Sequence, residues 1–148
     1  TEGTAGALTM RRRILEEARL LLAEAGPDAL SMRRLSQRLG ASTIVLYTHF
    51  RDKPAILDEL YVEGFEQLRA DLESVPQTND PLHDVMELGR AYRRSAVAHP
   101  ASYQIMFTRC VPGFDPAPAS REAGRRAFQI LSQAVQRCMD AGAAPSGD

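Results

Sequence analysis

Apolar residues recur at three- and four-residue intervals along most of this chain, and a few sharp punctuation points interrupt them. Between Thr9 and Ala25, the residues Ile14, Leu15, Ala18, Leu21, Leu22 and Ala25 form one stripe. That is the spacing of an amphipathic helix, with Thr9 as its N-cap. Gly26 and Pro27 end it, glycine as a left-handed cap and proline as a stop. Ser31 caps a short second helix, in which Leu30 and Leu35 make a hydrophobic staple and Leu35 and Leu39 face inward. Gly40 supplies a tight turn. Ser42 then caps a third helix from Thr43 to about Phe50, with Leu46 and Phe50 one turn apart. Thr43, Ile44 and Val45 favour a strand by composition, but the caps and the inward spacing predict a helix. Asp52 opens a fourth helix, with Pro54 in its first turn. Its apolar positions, Ile56, Leu57, Leu60, Tyr61, Phe65, Leu68 and Leu72, carry it to about Ser74, a rod of roughly 30 Å.

The second half is read the same way. Val75 to Pro81 holds two prolines and polar turn formers, a linker. A fifth helix follows from about Pro81 to His99, where His99-Pro100 breaks the chain. A sixth, short helix is expected from about Ala101 to Cys110, then a loop from Val111 to Ala119. The seventh helix spans about Ser120 to Ala141, with Phe128, Leu131, Val135 and Met139 as its apolar stripe. The last residues form a polar loop. No repeat period is visible. The fold class is therefore all-α: an N-terminal three-helix unit with a helix-turn-helix at residues 30–53, joined by a long fourth helix to a second helical domain. The expected division is 9–53 and 54–148, with the linker near 75–81.

Composition narrows the class. The chain has 148 residues, 44% hydrophobic and 25% charged, the balance of a globular protein rather than a disordered one. No run is long and apolar enough for a membrane helix, and the first residues lack the apolar core of a signal peptide. Cys110 and Cys138 have neither disulfide nor zinc spacing and are expected to be reduced thiols of a cytoplasmic protein. The chain does not begin with methionine, and a piece of a longer protein is expected.

The net charge of −1 hides a local arrangement. Arg11, Arg12, Arg13, Arg33, Arg34, Arg38, Arg51 and Lys53 all lie on or beside the helix-turn-helix, the distribution expected of a nucleic-acid footprint. With Leu46 and Phe50 turned inward, the third helix presents Thr43, Ile44, Val45, Tyr47 and Thr48 outward. Threonines can hydrogen-bond to bases or phosphates, Ile44 and Val45 can contact only thymine methyls, and Tyr47 and His49 can reach phosphate oxygens. Lys53 adds its charge to the positive end of the fourth helix. Arg33 can offer a guanine edge a bidentate fork, or can be a solvated arginine. Tyr47 can equally be a partly buried core aromatic, and Arg11–Arg13 either touch the DNA backbone or are a solvated first turn. With Ser42 at the mouth of the third helix, the candidate DNA-binding set is Arg33, Ser42, Thr43, Ile44, Val45, Tyr47, Thr48, His49 and Lys53.

The residues Leu30, Ser31, Arg33, Leu35, Gly40, Ser42, Leu46, Tyr47, His49, Phe50, Asp52, Lys53 and Leu57 together resemble the N-terminal domain of the TetR family of bacterial transcriptional regulators, the run Leu-Tyr-x-His-Phe-x-x-Lys being its most specific part. The segment from His99 to Phe107 is similar to a subgroup of that family with an N/H-P-x-x-Y-x-x-M-F pattern. The resemblance implies a homodimer that puts each third helix into the major groove of a palindromic duplex, with Tyr47, His49 and Lys53 on phosphates. It implies that the C-terminal helices hold an effector pocket and a dimer interface, and that an effector shifts the fourth helix. Ala41 stands where valine is usual, and Thr43 and Ile44 stand where many relatives carry lysine or glycine-type residues, so the reading helix is uncharged. Its non-specific electrostatic grip must come from Arg11, Arg12, Arg13, Arg33, Arg51 and Lys53. The two further helices that usually complete the family's dimer bundle are absent from the chain.

Candidate pocket residues for a small-molecule effector of unknown identity are Met86, Arg90, Tyr103, Met106, Phe107, Phe128 and Leu131, with Tyr92 among the same stripes, which also serve as plain core; Arg90 and Arg94 can hold an acidic ligand but more often such arginines form a solvated face. His83, Asp84 and His99 do not have metal-ligand spacing, and neither a metal nor another cofactor is expected. No nucleophile or acid–base pair has a recognisable spacing, so an enzyme is not expected. The function expected is a ligand-responsive DNA-binding regulator, a repressor, reading the groove with residues 43–50. The alternative is a helical module that binds a ligand or a protein without binding DNA.

Overall fold

The computed structural model describes residues 2–107 and 112–142. Cys110 and the greater part of the expected C-terminal loop lie outside the described residues. Among the described residues seven helices follow one another: α1 (Glu2–Ala25), α2 (Met32–Leu39), α3 (Thr43–His49), α4 (Lys53–Glu73), α5 (Pro81–Ala98), α6 (Pro100–Phe107) and α7 (Pro118–Asp140), with one turn of 3-10 helix at Pro27–Ala29. No strand occurs among them. The contacts divide the chain into two compact units, the described residues of Thr1–Tyr61 with Pro100–Pro116, and those of Val62–His99 with Ala117–Asp148. The change from one unit to the other falls within α4, and α6 is grouped with the N-terminal helices.

The first unit is built on α1. The helix starts at Glu2, not at Thr9, because residues 2–8 carry no breaker stronger than glycine; the Thr9 hydroxyl bonds back to the Ala5 carbonyl at 2.9 Å instead of capping. Ile14, Leu15, Ala18, Leu21 and Leu22 are buried as their spacing requires, while Ala25, the last of the expected stripe, is exposed. They meet Leu30, Leu35, Leu39, Leu46 and Phe50 from α2, α3 and their flanks, and Ile56, Leu57 and Leu60 from the start of α4. Met32 joins this core from α2, and Ile105 joins it from α6, which packs on α1. Tyr61 stands edge-on to Phe114 at 6.5 Å, tying the segment after α6 to the same unit. Arg38 binds Glu17 at 2.9 Å and Glu24 at 2.8 Å, stapling α2 to α1. Those bonds hold the Glu24 carboxyl below its ordinary value.

The second unit packs α5 against α7 and the C-terminal part of α4. The stripe that α7 buries is one step out of phase with expectation. Ser120, Gly124, Ala127, Ala134 and Cys138 are buried, whereas Phe128 and Val135 are exposed and Leu131 and Met139 are half-buried. Small side chains let two helix backbones approach, so the face chosen is the one that packs closest, not the one that is most oily. A Cβ at Gly124 would sit 3.4 Å from the Phe65 ring. Phe128 meets that ring edge-on at 5.9 Å from the side.

Asp80 caps α5 by accepting from the His83 amide at 3.0 Å, with Pro81 in the first turn, where a missing N–H costs nothing. Asp84, 3% exposed, accepts from the Thr78 hydroxyl at 2.7 Å, from the Thr78 amide and from Arg137 of α7 at 3.2 Å. Arg137 also donates to the Thr78 carbonyl at 3.2 Å. The linker is thus held to α7 by a buried carboxylate with several donors. The Thr78 hydroxyl is the first cause holding the Asp84 carboxyl below its ordinary value; burial pulls the other way, and the Thr78 amide and Arg137 add to the lowering. A carboxyl depressed in the folded state lends stability above its unfolded value of about 4, which is lost as pH falls through the folded value. We therefore expect the thermal midpoint of the second unit to drop more steeply below about pH 4 in the native chain than in Asp84→Asn. Parallel acid profiles by circular dichroism would show that Asp84 carries no such linkage.

Candidate nucleic-acid interface

The α2–α3 corner is built from local rules. The Ser31 hydroxyl accepts from the Arg34 amide at 3.1 Å and starts α2. Gly40, at φ 63°, takes the left-handed conformation that ends it, and the Ala41 amide closes the cap on the Ser36 carbonyl at 3.1 Å. A side chain at residue 40 would be strained there. Two residues on, the Ser42 hydroxyl accepts from the Val45 amide at 3.3 Å and starts α3. Leu46 is fully buried and Phe50 is 3% exposed, so α3 is anchored through one side and turns the other outward.

The outward side contains Ile44, 75% exposed, Tyr47, 53% exposed, and Val45, 36% exposed. Thr48 is exposed and Thr43 half-buried. The Thr48 hydroxyl donates to the Val45 carbonyl at 2.6 Å. With its hydrogen used inside the helix, Thr48 is left as an acceptor toward anything in front of it. Arg33 is exposed on the first turn of α2, and Arg12, Arg13, Arg34 and Arg51 are exposed around the same unit.

Three of the basic residues on or beside the helix-turn-helix are engaged internally. Lys53 donates to the Pro27 carbonyl at 2.9 Å, holding the 3-10 turn that leads into α2; a lysine has two further donors to offer. Arg38 is taken up by Glu17 and Glu24. Arg11 donates to the His49 carbonyl at 2.6 Å, lies over the Phe50 ring and pairs with Glu59 of α4. It is neither a solvated first-turn arginine nor a free phosphate hook. The sequence held a signal for this: Arg11 falls three and four residues before Ile14 and Leu15, on the apolar stripe of α1.

The candidate effector residues do not fall in one unit. Met86 is 51% exposed on α5. Arg90, on the same helix, pairs with Glu87. Phe128 and Leu131 are on α7. Tyr103, Met106 and Phe107 are half-buried on α6 in the first unit, with the Tyr103 and Phe107 rings 4.7 Å apart. The second unit has an open cleft of about 430 Å³, floored by Leu72, Val75, Leu88, Ile130 and Ala134 and edged by Asp84 and Arg137. None of the seven candidates lines it.

Residues 14–60 match the family model described as bacterial regulatory proteins, tetR family, and residues 85–148 match the one described as tetracyclin repressor-like, C-terminal domain. An HTH-type transcriptional repressor of Mycobacterium tuberculosis is 35% identical over 95 residues, which is 56% of this chain and 51% of the relative. A solved protein of unknown function from Rhodococcus sp. RHA1 is 32% identical, with a TM-score of 0.77 over 93% of this chain and 72% of that one. The TetR family regulator PfmR from Thermus thermophilus is 28% identical, with a TM-score of 0.76 over 92% of this chain and 75% of that one. The chain belongs to the TetR family of bacterial transcriptional regulators. It spans about half the length of the curated relatives it matches. No helix among the described residues is long and apolar enough to cross a membrane.

Proposed function

We propose that this chain acts in a ligand-responsive, cytoplasmic transcriptional repressor that inserts α3 into the major groove of a palindromic duplex as a homodimer. Residues 9–53 bind DNA in this reading, and residues 54–148 respond to a small-molecule effector. The observation that carries it is the division of α3 into two faces. Leu46 and Phe50 are buried, while Ile44, Val45, Tyr47 and Thr48 stand exposed on a two-turn helix capped at Ser42. An oily, exposed face on so short a helix has no role in packing its own unit, and a groove about 12 Å wide accommodates it.

Ile44 and Val45 contact thymine methyls, Thr43 and Thr48 meet base edges, and Thr48 does so by accepting, which suits the amino groups of adenine or cytosine. Arg33 reaches a guanine edge from α2. Ser42, Tyr47, His49 and the remaining donors of Lys53 face phosphates. Kinship to a relative named as a repressor supports repression over activation.

The test is selection of a duplex from a randomised pool, followed by titration against salt. Binding should fall steeply as salt rises, and Tyr47→Ala should weaken selected and unrelated duplexes by a similar factor of about five. Failure of the native chain to enrich any duplex would end the DNA-binding reading; unchanged affinity in Tyr47→Ala would remove that residue from the interface.

A further inference from the structure

We infer that Arg11 is a positioning residue for the reading helix: it closes the C-terminal end of α3 and fastens that end to Glu59 of α4. Its consequence for binding rests on the DNA-reading role proposed above; its geometry does not. Three contacts meet on one guanidinium. Nη1 donates to the His49 carbonyl at 2.6 Å, the guanidinium carbon lies 4.3 Å from the centre of the Phe50 ring, and Nη2 pairs with the Glu59 carboxylate.

Each contact answers a local need. His49 is the last residue of α3, and carbonyls in the last turn of a helix have no partner within it. A cation placed there also meets the negative end of the helix dipole. Phe50 is the residue on which α3 stops, and the flat guanidinium covers its face. A helix of seven residues has little stability of its own. Leu46 and Phe50 fix which side of α3 is buried, but apolar contact is not directional. The arginine fork is directional, so it sets the angle at which α3 leaves the core. Glu59 is one of the residues that face this fork from α4, the helix that continues into the second unit. The ion pair thereby adds a directional tie to the apolar contacts that already join α3 to the start of α4. Lysine, a point charge, cannot address a carbonyl and a carboxylate through a fork while laying a flat face on a ring.

The experiment has two readouts on the native chain, Arg11→Ala, Arg11→Lys and Glu59→Gln. The first is amide hydrogen exchange at Leu46 and Phe50, whose N–H groups bond to the Ser42 and Leu46 carbonyls. The second is affinity, with its salt slope, for the duplex that the native chain enriches from a randomised pool. In Arg11→Ala the two α3 amides should exchange about tenfold faster while those of mid-α1 and α2 hold. Duplex affinity should fall about tenfold with no change in salt slope, and Arg11→Lys should lie between. A phosphate-binding arginine would instead lower the slope by about one, and that result overturns the inference. Equal loosening of all helices in the unit, or unchanged α3 amides, also overturns it. Glu59→Gln keeps the arginine and should speed the α3 amides about threefold; no effect there would refute the fastening to α4. Should the native chain enrich no duplex, the DNA-reading role fails and the exchange data still decide the placement of Arg11.

Discussion

Leu46→Ala should destabilise the first unit by about 3 kcal/mol. Leu46 is fully buried and lies in the same core cluster as residues from α1, α2 and the start of α4. Removing three carbons there loses the transfer free energy and leaves a cavity that a two-turn helix can fill only by shifting. Since Tyr47 and Val45 flank it in sequence, any shift moves the outward face as well. The urea midpoint should fall with the m-value unchanged. A loss below about 1 kcal/mol would mean that the site collapses freely and that α3 is held by other contacts.

The other large effect lies in the second unit. Gly124→Leu should cost about 2 kcal/mol, because the new side chain must enter where the Phe65 ring already lies 3.4 Å from the position of a Cβ. Gly124→Ala should be neutral or stabilising by up to about 1 kcal/mol, since alanine stops at ordinary contact and removes glycine's cost inside a helix. The pair of variants, compared by thermal denaturation, separates close packing from mere helix propensity. If leucine is tolerated as well as alanine, α7 does not depend on its small-residue face.

These two sites differ in how far the sequence exposed them. Leu46 was readable because Ser42, Gly40 and the spacing to Phe50 are local rules acting within ten residues, strong enough to overrule the strand preference of Thr43, Ile44 and Val45. Gly124 was not, because apolar size is a poor guide when a helix can bury a small face and bring backbones closer. The stripe built on Phe128 and Val135 missed by one position for that reason. α6 was expected in the C-terminal domain because it follows the linker, yet Ile105 and Phe114 pack with the N-terminal helices. Chain order says nothing about that return. The Asp80 cap before Pro81 carried a readable signal that the linker composition masked.

On the proposed interface, the residue types were legible but their engagements were not. Lys53 and Arg11 donate to carbonyls 26 and 38 residues away in sequence. No motif marks such a bond, since any backbone carbonyl will serve. The consequence is that the outward charge is smaller than a count of basic residues suggests, and more of it rests on Arg12, Arg13, Arg33 and Arg34, since Arg51 pairs with Asp52.

In the proposed DNA-reading role, Ile44, three-quarters bare to solvent, would give recognition a thermal character. A reading face that works by drying methyl groups binds its preferred duplex with a negative heat-capacity change. Electrostatic grip and apolar readout then separate under different conditions: salt weakens affinity for every sequence alike, whereas cooling erodes the preference between sequences. Discrimination measured at a few degrees Celsius should therefore be blunter than discrimination at growth temperature, even where total binding is stronger.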